Sequence, residues 1–130
     1  MTPRALMSAS AVVLGLAGLA LLFAPAEVAR LAGAGGSPAP VVLQLWSAAL
    51  LGAAAADWIG RGLTLGGIYG RALVVANAVH WTVAALVLVR AAIDGPRTPL
   101  AWVGVATCGF FAAGFNLLMR RHPGPAAAPG

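Results

Sequence analysis

Four apolar stretches follow one another along this chain, at roughly 5–23, 41–58, 71–92 and 99–119. Each is close to the ~20 residues an α-helix needs to cross the hydrocarbon core of a bilayer. Inside lipid the backbone finds no water to bond, so segments of this kind are helical. The sequence therefore predicts an all-α fold, an integral membrane up-and-down four-helix bundle over residues 1–122. A water-soluble domain is excluded on composition: 61% of the 130 residues are hydrophobic and 8% are charged, too few polar groups to cover a soluble surface.

Charge places the chain across the membrane. All 8 basic residues are arginine, and they stand singly or in one pair at the segment ends. Nucleic-acid binding requires a clustered basic patch, so no nucleic-acid partner is expected. Cytoplasmic flanks of membrane helices carry the excess of Arg. With the N-terminus inside, Arg4, Arg61, Arg71, Arg120 and Arg121 lie on the inner side, against Arg30, Arg90 and Arg97 outside. That distribution predicts both termini in the cytoplasm. Arginine in place of lysine, with abundant Ala, Gly and Pro, reads as a GC-rich bacterial coding sequence, and hence as a bacterial inner-membrane protein.

The first stretch also imitates a secretory signal, with Arg4, an apolar run and Ala24-Pro25-Ala26 as a small-residue site. Pro25 inside that site argues against cleavage, and the run is long enough to span, so it is read as a retained helix. Cys108 is the one cysteine, lies in the fourth stretch and reads as a small packing residue.

Residues 25–32 fit a short interfacial helix, with Pro25 in its first turn and Glu27 near its positive end. Residues 33–40, rich in Gly and Pro, form a turn. The glycine-rich connection 60–70 and the short connection 93–98 make successive helices antiparallel neighbours. Thr98 before Pro99 is an N-cap followed by proline at the first helical position. The Pro/Ala/Gly tail, 123–130, is predicted to be disordered.

Lipid supplies no hydrophobic force between helices, so small residues must let the backbones approach. Ala48, Gly52, Ala56 and Gly60 recur every four positions in the second stretch. Gly104, Cys108, Ala112 and Asn116 do so in the fourth, and Ala11, Gly15 and Gly18 punctuate the first. These stripes are expected inside the bundle, with a spare face left for a partner.

Polar residues that could carry chemistry gather around the second connection. Asp57 and Arg61 are four apart, so Asp57 with Arg61 or Arg71 predicts an ion pair clamping the hairpin. The alternative is an anion site in which Gly66-Gly67 amides and the arginines hold a lipid phosphate. Counting from Arg71, His80 lies about 13 Å into the membrane, with Asn77 about 4.5 Å shallower on the same side. Antiparallel packing is expected to bring Asn116 to the level of Asn77, with Ser8 and Ser10 in the same cytoplasmic third. A polar pocket on that side follows. An ionisable group in the bilayer is a functional signal by default. For His80 the options are a proton relay, an axial ligand to a haem or chlorophyll-type ring, or a hydrogen bond to a headgroup or quinone. Against these stands a neutral histidine tied to Asn77, Asn116 or a carbonyl. Trp58 and Trp102 fit interfacial belts. Trp81 either faces lipid as bulk or stacks on a bound ring, and bulk is the expectation.

The segment carrying Trp58, the turn Gly66-Gly67-Ile68-Tyr69-Gly70-Arg71 and the N-x-x-H pair Asn77 and His80 resembles a group of uncharacterised small four-helix bacterial inner-membrane proteins. The resemblance covers about residues 40–95. It implies the fold and the membrane location but no activity, catalytic residue or cofactor. Asp57 stands where such proteins more often carry asparagine.

No paired carboxylates, metal-ligand spacing or nucleophile with base appears, so an enzyme is not expected. The sequence reads as a non-catalytic scaffold or accessory subunit of a larger membrane complex or homo-oligomer, in contact with membrane lipids. Its cytoplasmic-side pocket of His80, Asn77 and Trp81 would hold lipid, quinone or pigment. The alternative is a small proton/ion or small-molecule transporter working as an oligomer through His80 and Asp57.

Overall fold

The computed structural model describes residues 2–33, 40–63, 68–95 and 98–120. The Gly66-Gly67 pair, Arg97, Arg121 and the tail 123–130, on which several expectations rest, lie outside these described residues. The elements run α1 (Pro3–Phe23), α2 (Pro25–Leu31), α3 (Pro40–Gly60), α4 (Ile68–Asp94) and α5 (Pro99–Arg120). α1, α3, α4 and α5 are each long and apolar enough to cross a membrane. The protein is an all-α four-helix bundle, with the build of a multi-pass membrane protein.

Proline sets where these helices begin. Pro3, Pro25, Pro40 and Pro99 each open one, at positions where the missing N–H is lost to nothing. Thr2 accepts the Ala5 N–H at 3.2 Å and Thr98 accepts the Ala101 N–H at 3.3 Å, so α1 and α5 start on side-chain caps. Pro25 also separates α1 from α2: Ala24 leaves the helical region (φ −135°, ψ 50°) because proline crowds the residue before it. Glu27 lies in the first turn of α2 and Arg30 in the last, each favoured by the helix dipole there. Gly33, at φ 75°, ends that short helix in a conformation that suits glycine.

The four long helices associate as two antiparallel pairs, α1 with α3 and α4 with α5. In the first pair Gly15 lies against Ala54 and Gly18 against Leu51 and the Ser47 carbonyl. Gln44 Nε2 donates to the Leu22 carbonyl at 3.3 Å, closing the far end. In the second pair Trp81 stacks on Phe111, with ring centroids 4.5 Å apart and planes 23° apart. Asn116 Nδ2 donates to Thr82 Oγ1 at 3.0 Å, and Gly104 leaves room for Leu88.

Between the pairs, contact is concentrated at the end bearing Arg4 and Arg61. There Leu6 of α1 fills the space over Gly114 of α5, and Leu73 of α4 covers Gly60 of α3. The buried core of Leu6, Met7, Val74, Phe111, Phe115 and Leu118 sits at the same end. Outward, the surface is apolar, with Leu16, Phe23, Leu45 and Leu86 all exposed. Inward lie Ser10, Ser47, Asp57 and Asn77, each at most 5% exposed. Polar side chains inside and large apolar ones outside is the arrangement that lipid selects.

One sequence expectation is corrected here. Ala48, Gly52 and Ala56 do not pack inside the bundle: all three are exposed, and a Cβ added at Gly52 would meet nothing within 4 Å. The rotation of α3 is fixed by Asp57, whose burial outweighs the gain from packing small residues. At about 100° per residue, Gly52 and Ala48 then fall roughly 140° and 180° from the inward direction. Ser47, Ala54 and Gly60 fall within about 80° of it, and these are the buried ones. In contrast, the stripe of α5 does face its partner helix, through Gly104 and the buried Cys108.

Candidate functional site

Asp57 is the centre of a polar knot that joins three helices. It sits one turn from the end of α3, 1% exposed. Ser10 Oγ of α1 donates to Asp57 Oδ2 at 2.6 Å. Asn77 Nδ2 of α4 donates to Asp57 Oδ1 and to the Leu73 carbonyl. Trp81 Nε1, also on α4, donates to Ser10 Oγ at 3.0 Å. Ser10 thus passes the chain of hydrogen bonds on, accepting from the indole while donating to the carboxylate. Both carboxylate oxygens are occupied, and among the described residues no buried side-chain nitrogen or oxygen lacks a partner.

This arrangement corrects the expected ion pair. Asp57 contacts neither Arg61 nor Arg71. Arg61 turns back instead, donating from Nη1 to the Trp58 carbonyl at 2.7 Å with its guanidinium carbon 3.6 Å above the Trp58 ring centroid. Arg71 is exposed at the start of α4. The only ion pair among the described residues is the exposed Arg90 with Asp94, at 3.4 Å. Spacing of four along a helix permits pairing, but Asp57 faces the interior, where Ser10 and Asn77 supply neutral donors at lower desolvation cost than a buried guanidinium.

The expected pocket of Asn77, His80, Trp81 and Asn116 divides in two. Asn77 and Trp81 point into the knot, whereas His80 is exposed. The inner face of α4 runs through Val74, Asn77, Ala78 and Trp81, and His80 stands about 110° from its centre. It makes no hydrogen bond with any described residue and meets the edge of Trp81 at 5.4 Å and 89°. Trp81, expected to be lipid-facing bulk, is 3% exposed and packs against Phe111. Asn116 lies beside Thr82, more than a turn from Asn77, because the stacking of Trp81 on Phe111 sets the α4–α5 register. Trp58 and Trp102 are about half exposed, near the ends of their helices.

Open space lies in the other half of the molecule. Where the two helix pairs part, away from Arg4 and Arg61, a cavity of about 740 Å³ forms between them. All four long helices line it, among them Val13, Trp46, His80, Ala84, Val103 and Thr107. The lining is almost wholly apolar, and His80 and Trp81 stand at its inner end, next to the polar knot. The polar residues that sequence reasoning gathered around a pocket instead close on one another, and the cavity beside them is greasy. Its size is that of pockets which take whole small molecules.

Sequence reasoning placed Ser10 on the polar side but missed two features. Its role as the relay of the knot is the first, and the signal for it is its place on the stripe Leu6, Met7, Ser10, Ala11, Leu14, the buried face of α1. The second is the groove, for which Thr107 and Cys108 carry no sequence signal beyond helical spacing from Gly104. Among the described residues, no three His, Cys, Asp or Glu side chains gather as a metal would require. No family model, no curated protein and no solved structure matches this chain.

Proposed function

We propose that this chain is a non-catalytic bacterial inner-membrane subunit, with both termini cytoplasmic, that holds a lipid-soluble molecule in the groove between its helix pairs. It works as an accessory subunit of a larger membrane complex or as a homo-oligomer. The carrying observation is a groove of about 740 Å³, apolar along its walls and ending on His80, an imidazole that bonds to no described residue. Burying a tail there gains little over lipid, so discrimination must come from the head. A ring carrying an oxygen acceptor would stack near Trp81 and bond to His80, which describes an isoprenoid quinone better than a simple acyl chain.

The rival reading, proton or ion movement through His80 and Asp57, needs a path between them. Trp81 borders both, its ring toward the groove and its indole N–H bonded to Ser10. Titration of delipidated protein with decylubiquinone, followed by quenching of tryptophan fluorescence, tests the proposal. Saturable quenching is expected in the wild type, with affinity about tenfold weaker in His80→Ala, the worth of one desolvated hydrogen bond. Non-saturable quenching, identical in the two proteins, would contradict quinone binding. Proton flux in liposomes abolished by His80→Ala would establish the rival reading instead.

A further inference from the structure

At the opposite end of the molecule from the groove, the geometry points to a phosphate-binding cleft formed by Arg4 and Arg61. The two arginines come from different helices, Arg4 from the first turn of α1 and Arg61 from just past the end of α3. They line one shallow cleft of about 330 Å³ together with Trp58, Ile59 and Gly62. Among the described residues, no carboxylate lines it. Asp57, the nearest acid in sequence, is turned inward and holds Ser10 and Asn77. The cleft therefore carries two positive charges, with nothing of opposite sign among the described residues of its walls.

Arg61 is also held in position. Its guanidinium lies on the Trp58 ring at 3.6 Å and spends one N–H on the Trp58 carbonyl at 2.7 Å. A guanidinium has five N–H donors, so four remain, on a plane already fixed. Arg4 is exposed and makes no hydrogen bond with a described residue. Planar forks of this kind match the oxygens of a phosphate in paired hydrogen bonds, which a lysine ammonium does not. The α1 N-terminus adds a fixed positive dipole at the same end.

Trp58, half exposed, is a residue type that settles at the level of lipid headgroups. The cleft thus lies where the phosphates of a leaflet lie, and Ile59, 80% exposed, offers an apolar surface for the adjoining chain. The shared chemistry is a phosphate mono- or diester, supplied by an anionic phospholipid or by free phosphate. The site differs from the one expected on sequence: Arg4 takes the place of Arg71, which does not line the cleft. It stands independently of the groove and its occupant.

Binding to the purified full chain is measured with dihexanoyl-phosphatidylglycerol, uncharged dihexanoylglycerol and inorganic phosphate as probes. The wild type should bind the phosphatidylglycerol saturably and the dihexanoylglycerol at least about tenfold more weakly. In the double variant Arg4→Gln with Arg61→Gln, phosphatidylglycerol affinity should fall by at least about tenfold, and the pair Arg4→Lys with Arg61→Lys should fall between. Inorganic phosphate binding as tightly as the lipid would assign the cleft to a free anion, and much weaker binding assigns it to a headgroup. Equal phosphatidylglycerol affinity in the wild type and the glutamine double variant would overturn the site. Should the double variant not fold, Arg4→Gln alone, at an exposed position, serves instead: lost affinity supports the site and unchanged affinity overturns it.

Discussion

Asp57→Ala should destabilise the folded bundle by about 3 kcal/mol, read as the shift in unfolding by sodium dodecyl sulfate in mixed micelles. The carboxylate accepts from Ser10 on α1 and Asn77 on α4, so its removal orphans two buried donors at once. It also leaves a void among side chains that are nearly fully buried. Hydrogen bonds between membrane helices average below 1 kcal/mol singly, because an unfolded chain in lipid finds other partners. Two such bonds together with the orphaned donors and the void account for the larger figure. Asp57→Asn keeps the shape and one acceptor, and should cost about 1 kcal/mol. A double-mutant cycle of Asp57→Ala with Ser10→Ala should show coupling of about 1 kcal/mol. An Asp57→Ala protein within about 0.5 kcal/mol of wild type would mean that the knot does not join the helix pairs.

The second large effect contrasts two glycines given the same substitution. Gly18→Leu should cost about 3 kcal/mol or prevent folding, whereas Gly52→Leu should stay within about 0.5 kcal/mol of wild type. A Cβ at Gly18 would stand 2.8 Å from Leu51 Cγ and 3.2 Å from the Ser47 carbonyl oxygen. The leucine can shift, but the carbonyl belongs to the backbone of α3 and moves only if the pair opens. At Gly52 nothing stands within 4 Å. Gly18→Ala, with the least bulk, should fall between. The same micelle unfolding assay measures all three. Equal costs at Gly18 and Gly52 would refute the α1–α3 pairing, since helix propensity alone treats the two positions alike.

The contrast also shows what was legible in the sequence. Segment lengths and starts could be read because proline, glycine and the span of a bilayer set them: Pro25 and Pro99 open the helices they were expected to open, and Pro40 opens the one it was expected to lie beside. The GGIYGR turn gives way earlier than expected, with Ile68 to Gly70 already helical, so α4 is longer than its apolar stretch. The rotation of each helix was harder to read. In a water-soluble bundle, polar residues mark the outer face, but against lipid both faces are apolar and the contrast vanishes. Rotation is then carried by a few polar side chains, and helical spacing alone allows Asp57 to face Arg61 as readily as the interior. Once Asp57 is placed inward, the outward turn of Ala48, Gly52 and Ala56 follows. The position of His80 depends on the balance of its neighbours: Asn77 and Trp81 together claim the interior and leave the imidazole on the open side. A groove between helix pairs has no sequence signature, since it is made by where the pairs part.

Whether that groove is an occupied site is tested most directly by extracting the protein gently from its native membrane and weighing it intact by native mass spectrometry. One lipid-soluble molecule per chain should remain bound to the wild type. It should be lost from Ala17→Phe, which fills the groove from an exposed position on α1, and kept by Leu45→Phe on the outer surface. A wild-type chain that emerges bare, or a bound molecule retained equally by Ala17→Phe, would contradict a ligand held between the helix pairs.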